Sequence, residues 1–243
     1  MHSCLYQVET ERILDYLFPP LEEFTVQPLV YYDYNAVKFK LVILYGKIGS
    51  GKTELVRSLA EQAVKRYGAD KVAASYTNAD LETLLEQGLK DKLVNILFCD
   101  DLTHSKIKEQ TLNEFFRVRH KLKEYYGRRH GYILGVLALH RFFNIPVSLR
   151  AEMDCLICRN TSLNPYDSAF LKRMLGFHLY QALEEIERRR ESDREFYQYS
   201  AFVSKDLRGL LRLPLAEIDY LEELRSQWRP TQRVKRSWLS RFY

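Results

Sequence analysis

The chain has 243 residues, enough for one substantial core with additions, and its apolar fraction of 46% is that of an ordinary globular protein. Its longest apolar run, Tyr132 to Leu139, is the length of a buried strand, and no basic region followed by an apolar stretch opens the N-terminus. No transmembrane segment and no secretory signal are therefore expected, and a formal net charge of +5 leaves the protein modestly basic in the cytoplasm or in a particle assembled there.

Along the chain, residues 1–35 read as a lead-in, with a helix from about Val8 to Leu17 ended by Pro19-Pro20 and an edge strand over Thr25–Tyr34. A regular alternation follows. Lys38–Tyr45 is apolar and β-branched, a strand; Gly46–Gly51 is a turn; Lys52–Tyr67 has helical periodicity and stops at Gly68. Lys71–Tyr76 is a short strand. Asp80–Gln87 is a helix with Asn78 or Asp80 as cap and Gly88 at its end. Leu93–Cys99 is a buried strand, Lys106–Tyr126 one long basic helix, and Tyr132–Leu139 and Met153–Cys158 are further strands. Pro165 to about Arg190 is a helix, and Phe196–Val203 a last edge strand. Residues 36–205 thus form the core domain, with 206–243 a C-terminal helical segment and tail. Strands alternating with helices imply an α/β fold with a mainly parallel sheet covered on both faces. Such sheets bind ligands at the carboxyl ends of their strands.

Within the tail 227–243, Arg229, Arg233, Lys235, Arg236 and Arg241 stand without an acid, five charges that equal the chain's whole excess. Trp228, Trp238, Phe242 and Tyr243 lie among them, a mixture that suits a nucleic-acid backbone or an acidic protein surface, and equally a frayed, solvated tail. The four cysteines, Cys4, Cys99, Cys155 and Cys158, form no disulfide framework for a chain this long. Cys155 and Cys158 have C-x-x-C spacing, but residues three apart on a strand face opposite sides, so they read as core cysteines.

The strongest chemical signal is Gly46, Lys47, Ile48, Gly49, Ser50, Gly51, Lys52 and Thr53, which satisfies G-x-x-x-x-G-K-[ST] between a strand and a helix. Glycines let the backbone wrap closely enough to aim N–H groups at phosphate oxygens, and the helix N-terminus adds its positive dipole end. Lys52 is expected to reach the β- and γ-phosphates of ATP, and Thr53 to ligate Mg²⁺. An apolar strand ending in Asp100 and Asp101 is the Walker-B arrangement: Asp100 for Mg²⁺, Asp101 to orient and polarise the attacking water. His140 follows the strand Tyr132–Leu139, where a polar tip touches the γ-phosphate or the lytic water. Arg117, Arg119, Arg128 and Arg129 precede that strand and Arg150 follows it; one of them acting from a neighbouring subunit would stabilise transition-state charge.

Together these segments resemble the FtsK–HerA superfamily of DNA-pumping P-loop ATPases (the ASCE, RecA-like division), and within it the viral genome-packaging ATPases of the poxvirus, giant-virus and archaeal-virus type. The resemblance is carried by Leu97-Phe98-Cys99-Asp100-Asp101-Leu102, by Leu112-Asn113-Glu114-Phe115-Phe116-Arg117-Val118-Arg119-His120, by Arg129-His130 before the strand, and by Phe143-Asn144-Ile145-Pro146-Val147-Ser148-Leu149-Arg150 after it. It spans about residues 38–160. That family usually has Gln at the tip where this chain has His140. Arg-His occurs twice, and position favours Arg129-His130, leaving the finger open among Arg119, Arg129 and Arg150. The resemblance implies a homo-oligomeric ring, ATP bound between subunits, double-stranded DNA driven through the centre, and a capsid or membrane-associated virion protein as partner. The basic helix and tail would contact DNA phosphates, contacts that carry no sequence information and weaken with salt.

A rival is an AAA+ ATPase of the DnaA or transposition-helper kind, which uses ATP as an assembly switch and carries a helical lid; residues 165–225 have room for one. A strand at Phe196–Val203 joining the main sheet argues against it. A DNA-binding scaffold with a decayed nucleotide site is opposed by intact Lys52, Thr53, Asp100 and Asp101, and a small-molecule kinase by the lack of an arginine-rich lid of the usual kind.

Overall fold

The computed structural model describes residues 7–25, 36–78, 80–100, 102, 109–142, 146–162 and 164–225. Of the edge strand expected over Thr25–Tyr34, Thr25 ends a short helix and residues 26–34 lie outside the described residues, as do Asp101, residues 143–145 of the Ile-Pro segment and the basic tail.

In chain order the described elements are α1 (Thr10–Leu17), α2 (Glu22–Thr25), β1 (Ala36–Tyr45), α3 (Lys52–Tyr67), β2 (Val72–Thr77), α4 (Leu81–Gln87) and β3 (Val94–Cys99). There follow α5 (Glu109–Phe116), α6 (Val118–Tyr126), β4 (His130–Leu139), α7 (Val147–Glu152), β5 (Cys155–Cys158), α8 (Pro165–Leu175) and α9 (Phe177–Arg190). A 3-10 turn (Arg194–Gln198) leads into β6 (Tyr199–Ser204), β7 (Arg208–Arg212) and β8 (Leu221–Glu223). All eight strands form one sheet in the order β7-β6-β5-β1-β4-β3-β2-β8, parallel except where β6 pairs antiparallel with β5 and β7. β4 stands between the strand that enters the phosphate loop and the strand that ends in Asp100.

The central strands are buried on both sides, which is why they read as unbroken apolar runs. In β1, Leu41, Ile43 and Tyr45 face one core, shared with Leu84, Phe115, Leu122, Leu149 and Leu183 from α4–α7 and α9. Val42 and Leu44 face the other, filled by Ile13 and Leu17 of α1 and by Leu55, Val56, Leu59 and Ala63 of α3. The two cysteines of the C-x-x-C divide the same way, Cys158 in the first core and Cys155 in the second. Burial pushes both thiols' pKa values up, as expected of inert core cysteines.

Helices α2 and α7 are absent from the sequence reading, and four of the expected elements differ from it. The single long helix over Lys106–Tyr126 is two helices among the described residues, broken at Arg117. There the His120 N–H bonds the Arg117 carbonyl, an i→i+3 step that tightens the turn and keeps Leu112, Phe115, Val118 and Leu122 on the core side. The helix over Pro165–Arg190 is likewise two, divided at Gly176 (φ 77°, ψ 164°), a conformation essentially closed to other residues. Its N–H caps α8 through the Lys172 carbonyl while its own carbonyl accepts from Tyr180 at the start of α9. The strand expected over Phe196–Val203 as a last edge strand starts three residues later, behind the 3-10 turn, and is neither last nor an edge, because β7 pairs on its outer side.

The fourth difference corrects the C-terminal assignment: residues 206–225 contain two strands, where a helical segment was expected. β7 is held from both sides, by β6 and by the N-terminal segment, whose Glu9 N–H donates to the Leu210 carbonyl at 2.9 Å. Leu210 and Leu211 then fill the two opposite cores, which a strand allows and the local apolar run did not reveal. From β7 the chain crosses outside α3 to the far edge. Ser58 Oγ donates to the Pro214 carbonyl at 2.7 Å, Glu217 N donates to Glu61 at 2.9 Å, and Arg57 pairs with Asp219 at 2.9 Å before β8 joins β2.

Candidate functional site

The site lies at the carboxyl ends of β1, β3 and β4, in a cleft of about 540 Å³ lined by residues 48–54 with Tyr76, Asn78, Asp100 and His140. β1 delivers the chain into the loop, and the sequence Gly-x-x-Gly-x-Gly bends it back into α3. Gly49 and Gly51 have φ of 76° and 79°, in the left-handed region. Gly46 is required for a different reason: a Cβ there would fall 2.4 Å from Ser50 Oγ and 3.0 Å from Arg159 Cβ. Gly51 caps α3 without any side-chain acceptor, so the cap itself does nothing to cover the first-turn amides and the positive end of the helix. Ser50 Oγ is buried and has no hydrogen-bond partner among the described residues. A wrapped backbone, a helix N-terminus and an orphaned hydroxyl in one loop fit a bound polyphosphate.

Lys52 is 6% exposed, and its ammonium group donates to the carbonyls of Gly46 (3.1 Å) and Lys47 (3.2 Å), which curl it back over the loop. His140 Nδ1 is 2.8 Å from the Gly46 carbonyl and 3.3 Å from Lys52 Nζ. A carbonyl can only accept and an ammonium can only donate, so Nδ1 satisfies one of them. The shorter contact, together with the carbonyl acceptors already serving Lys52, assigns Nδ1–H to the Gly46 carbonyl. In the neutral ring Nε2 is then the acceptor.

Thr53 Oγ1 donates to Asp100 Oδ2 at 3.2 Å, so the hydroxyl and the carboxylate expected at a magnesium site are side by side. Asp100 is held there by its own N–H, which donates to the Thr77 carbonyl at 2.9 Å. A hydroxyl and a carboxylate are hard oxygen donors of the kind Mg²⁺ takes alongside substrate phosphates. Lys47, from the start of the loop, reaches to Glu187 on α9 at 2.6 Å.

The sequence-predicted residues thus divide into three groups. The structure brings together 46–53, Asp100 and His140, and leaves Asp101 outside the described residues. Arg119, Arg129 and Arg150 are exposed and absent from the lining of this cleft. Arg129 directly precedes the ten-residue β4, which puts it roughly 30 Å along the strand from His140 at the opposite end of the sheet.

Three residues escaped the sequence reading. Tyr76 and Asn78 line the cleft from the end of β2; their signal was position, the carboxyl end of the strand next to β3. Among the described residues Arg159 is the largest fully buried side chain, 1% exposed, and its Nε donates to the Ser50 carbonyl at 2.9 Å. Its only cue in the sequence was its place directly after the apolar run 155–158, at a strand's carboxyl end.

No protein-family model matches the sequence, and no curated protein matches it. Among solved structures, the chain is similar to the genome packaging NTPase B204 from Sulfolobus turreted icosahedral virus 2 in complex with ATP-gammaS. The TM-score is 0.47 at 9% identity, over 72% of this chain and 98% of that one. It is similar to the pCW3 conjugation coupling protein TcpA in its monomer form with ATPgS, with a TM-score of 0.43 at 12% identity over 73% and 61%. The Escherichia coli MS115-1 HORMA:CdnC:Trip13 complex matches with a TM-score of 0.35 at 18% identity over 64% and 58%.

Proposed function

We propose that this chain is an ATP-hydrolysing motor of the FtsK–HerA type that moves double-stranded DNA, in the manner of a viral genome-packaging ATPase. The observation that carries the ATPase reading is the meeting of Lys52, Thr53, Asp100 and His140 at the ends of three neighbouring strands, around a loop built for phosphate. The loop amides and Lys52 bind the triphosphate, and Thr53 and Asp100 would hold Mg²⁺, which would supply positive charge to offset that of the phosphates. Asp101 orients the attacking water and takes its proton. His140, fixed by the Gly46 carbonyl, offers Nε2 to the water or to the γ-phosphate's surroundings. One of Arg119, Arg129 and Arg150 works in trans in a ring of identical subunits, since none lines its own chain's cleft. The basic stretch Lys106 to Arg129 and the tail carry the DNA phosphates, and a capsid or membrane-associated virion protein anchors the ring.

The motor is favoured over an AAA+ switch by β6. A lid would leave the sheet after β5 and stay away; here the chain makes the helical hairpin α8–α9 and returns to pair with β5 over Cys155–Cys158. The test is steady-state ATP hydrolysis with and without long duplex DNA, with Lys52→Ala as the blank. The motor reading expects strong stimulation that fades as salt rises; slow hydrolysis indifferent to DNA would favour the switch.

A further inference from the structure

We propose that Arg159 is a positioning residue of the phosphate loop: from behind the loop it fixes the Ser50–Gly51 peptide and adds a buried positive charge that favours a bound diphosphate. This rests on the nucleotide-site reading above and deepens it.

The first observation is where Arg159 is anchored. Its N–H donates to the Tyr45 carbonyl at 2.8 Å, so its backbone is pinned to the residue that opens the loop. The second is how its fork is used. Nε donates to the Ser50 carbonyl (2.9 Å), and Nη1 to the Tyr199 carbonyl (3.1 Å) and Ser200 Oγ (3.0 Å). Among the described residues Nη2 makes no hydrogen bond, and a Cβ placed on Gly51 would lie 3.0 Å from it. Holding the Ser50 carbonyl inward turns the other side of that peptide, the Gly51 N–H, toward the cleft. The glycine therefore serves the arginine as well as the turn.

The third observation is charge. The influences on Arg159 are burial first and then the charge of Arg190, which push its pKa down, and last the Tyr197 phenol, which raises it; no carboxylate is among them. Arg190 is itself buried, donating to the carbonyls of Arg159, Tyr199 and Phe196, with its guanidinium 5.6 Å from the Tyr197 ring centroid. Glu187 raises the pKa of Arg190 but does not act on Arg159, and its carboxylate is shared with Lys47 and Thr161. Two desolvated guanidinium groups side by side are costly, and a guanidinium does not shed its proton to relieve the cost. A diphosphate in the loop supplies the missing counter-charge, so binding is where that cost is recovered.

The test uses the full chain as Arg159→Lys and Arg159→Gln, with Lys52→Ala as control, and measures calorimetric binding of magnesium pyrophosphate and of ADP. Circular dichroism and the ligand-free melting temperature report folding. The expected order of affinity is wild type, then R159K, then R159Q. R159Q should lose about tenfold or more, by an equal factor for both ligands because they share the diphosphate. A brace with no part in binding would lower the melting temperature and leave the affinity alone, and wild-type affinity in a folded variant overturns the proposal. Should R159Q not fold, R159K decides: it keeps the charge but cannot serve all three acceptors, so a loss of about threefold or more supports the proposal and wild-type affinity overturns it. If Lys52→Ala also binds pyrophosphate like wild type, the nucleotide-site reading itself fails; if only the Arg159 variants do, that reading stands without this inference.

Discussion

Lys52 has little freedom in this fold. Curled onto the Gly46 and Lys47 carbonyls with His140 beside it, its ammonium is already where a β- or γ-phosphate would replace those acceptors. Lys52→Ala is therefore expected to weaken nucleotide binding about tenfold or more and to abolish turnover, since a charge-assisted hydrogen bond is lost in both states. Asp101→Ala separates the roles: nucleotide affinity stays near wild type while kcat falls about 100-fold or more, the contribution of a positioned base. Normal turnover in Asp101→Ala would remove it from the mechanism. At His140 the Nδ1 bond to the Gly46 carbonyl is one that a glutamine amide can also make. His140→Gln should hold kcat within about threefold and His140→Ala should drop it about tenfold, the scale of one hydrogen bond in a site; equal rates in both would deny the side chain a part. The phosphate loop and Asp100 were legible because motif, strand and helix coincide in sequence. Arg159 was not, because its partners, Ser50 and Ser200, are far away in the chain and meet it only once β5, β1 and β6 are neighbours.

The elements were legible where one physical signal dominated. α3 is read to the residue because glycine bounds it at both ends and its apolar face is regular. The breaks at Arg117 and Gly176 were hidden, since apolar spacings of three and four continue through each and only packing shows which turn tightens. Gly176 offers a direct check. With φ 77° and ψ 164° it occupies a region other residues enter only under strain, so Gly176→Ala should cost about 1–3 kcal/mol in urea unfolding while leaving ADP affinity unchanged. No loss of stability would mean that the α8–α9 junction relaxes freely. β7 and β8 were missed because their pairing partners lie at the two opposite edges of the sheet. The link between them is specified by contacts to Ser58, Glu61 and Arg57 on α3, far from it in sequence.

At the scale of the whole molecule, tyrosines buried in the core or half-buried against it set the response to alkali. Burial is the main cause that raises Tyr16, Tyr67 and Tyr132 above their ordinary value and pushes Tyr45 up to about 12. A phenol held neutral in the fold and free to ionise once unfolded contributes stability that is complete below about 10 and lost as pH rises through the folded value. The buried thiols of Cys155 and Cys158 act in the same direction. Unfolding free energy should thus fall as pH rises from about 9 to about 12, with phenolate absorbance rising together with loss of structure; a flat profile would contradict this burial. The same global arrangement, one sheet closed at both edges by the C-terminal strands with its phosphate loop at the strand ends, is what a DNA motor of this class would have to couple to movement. ATP-driven displacement of a third strand from long duplex DNA tests that coupling most directly. Displacement by the wild type with ATP, and none with ADP or with Lys52→Ala, is the predicted result; brisk ATP hydrolysis with the third strand left in place would contradict a translocating motor.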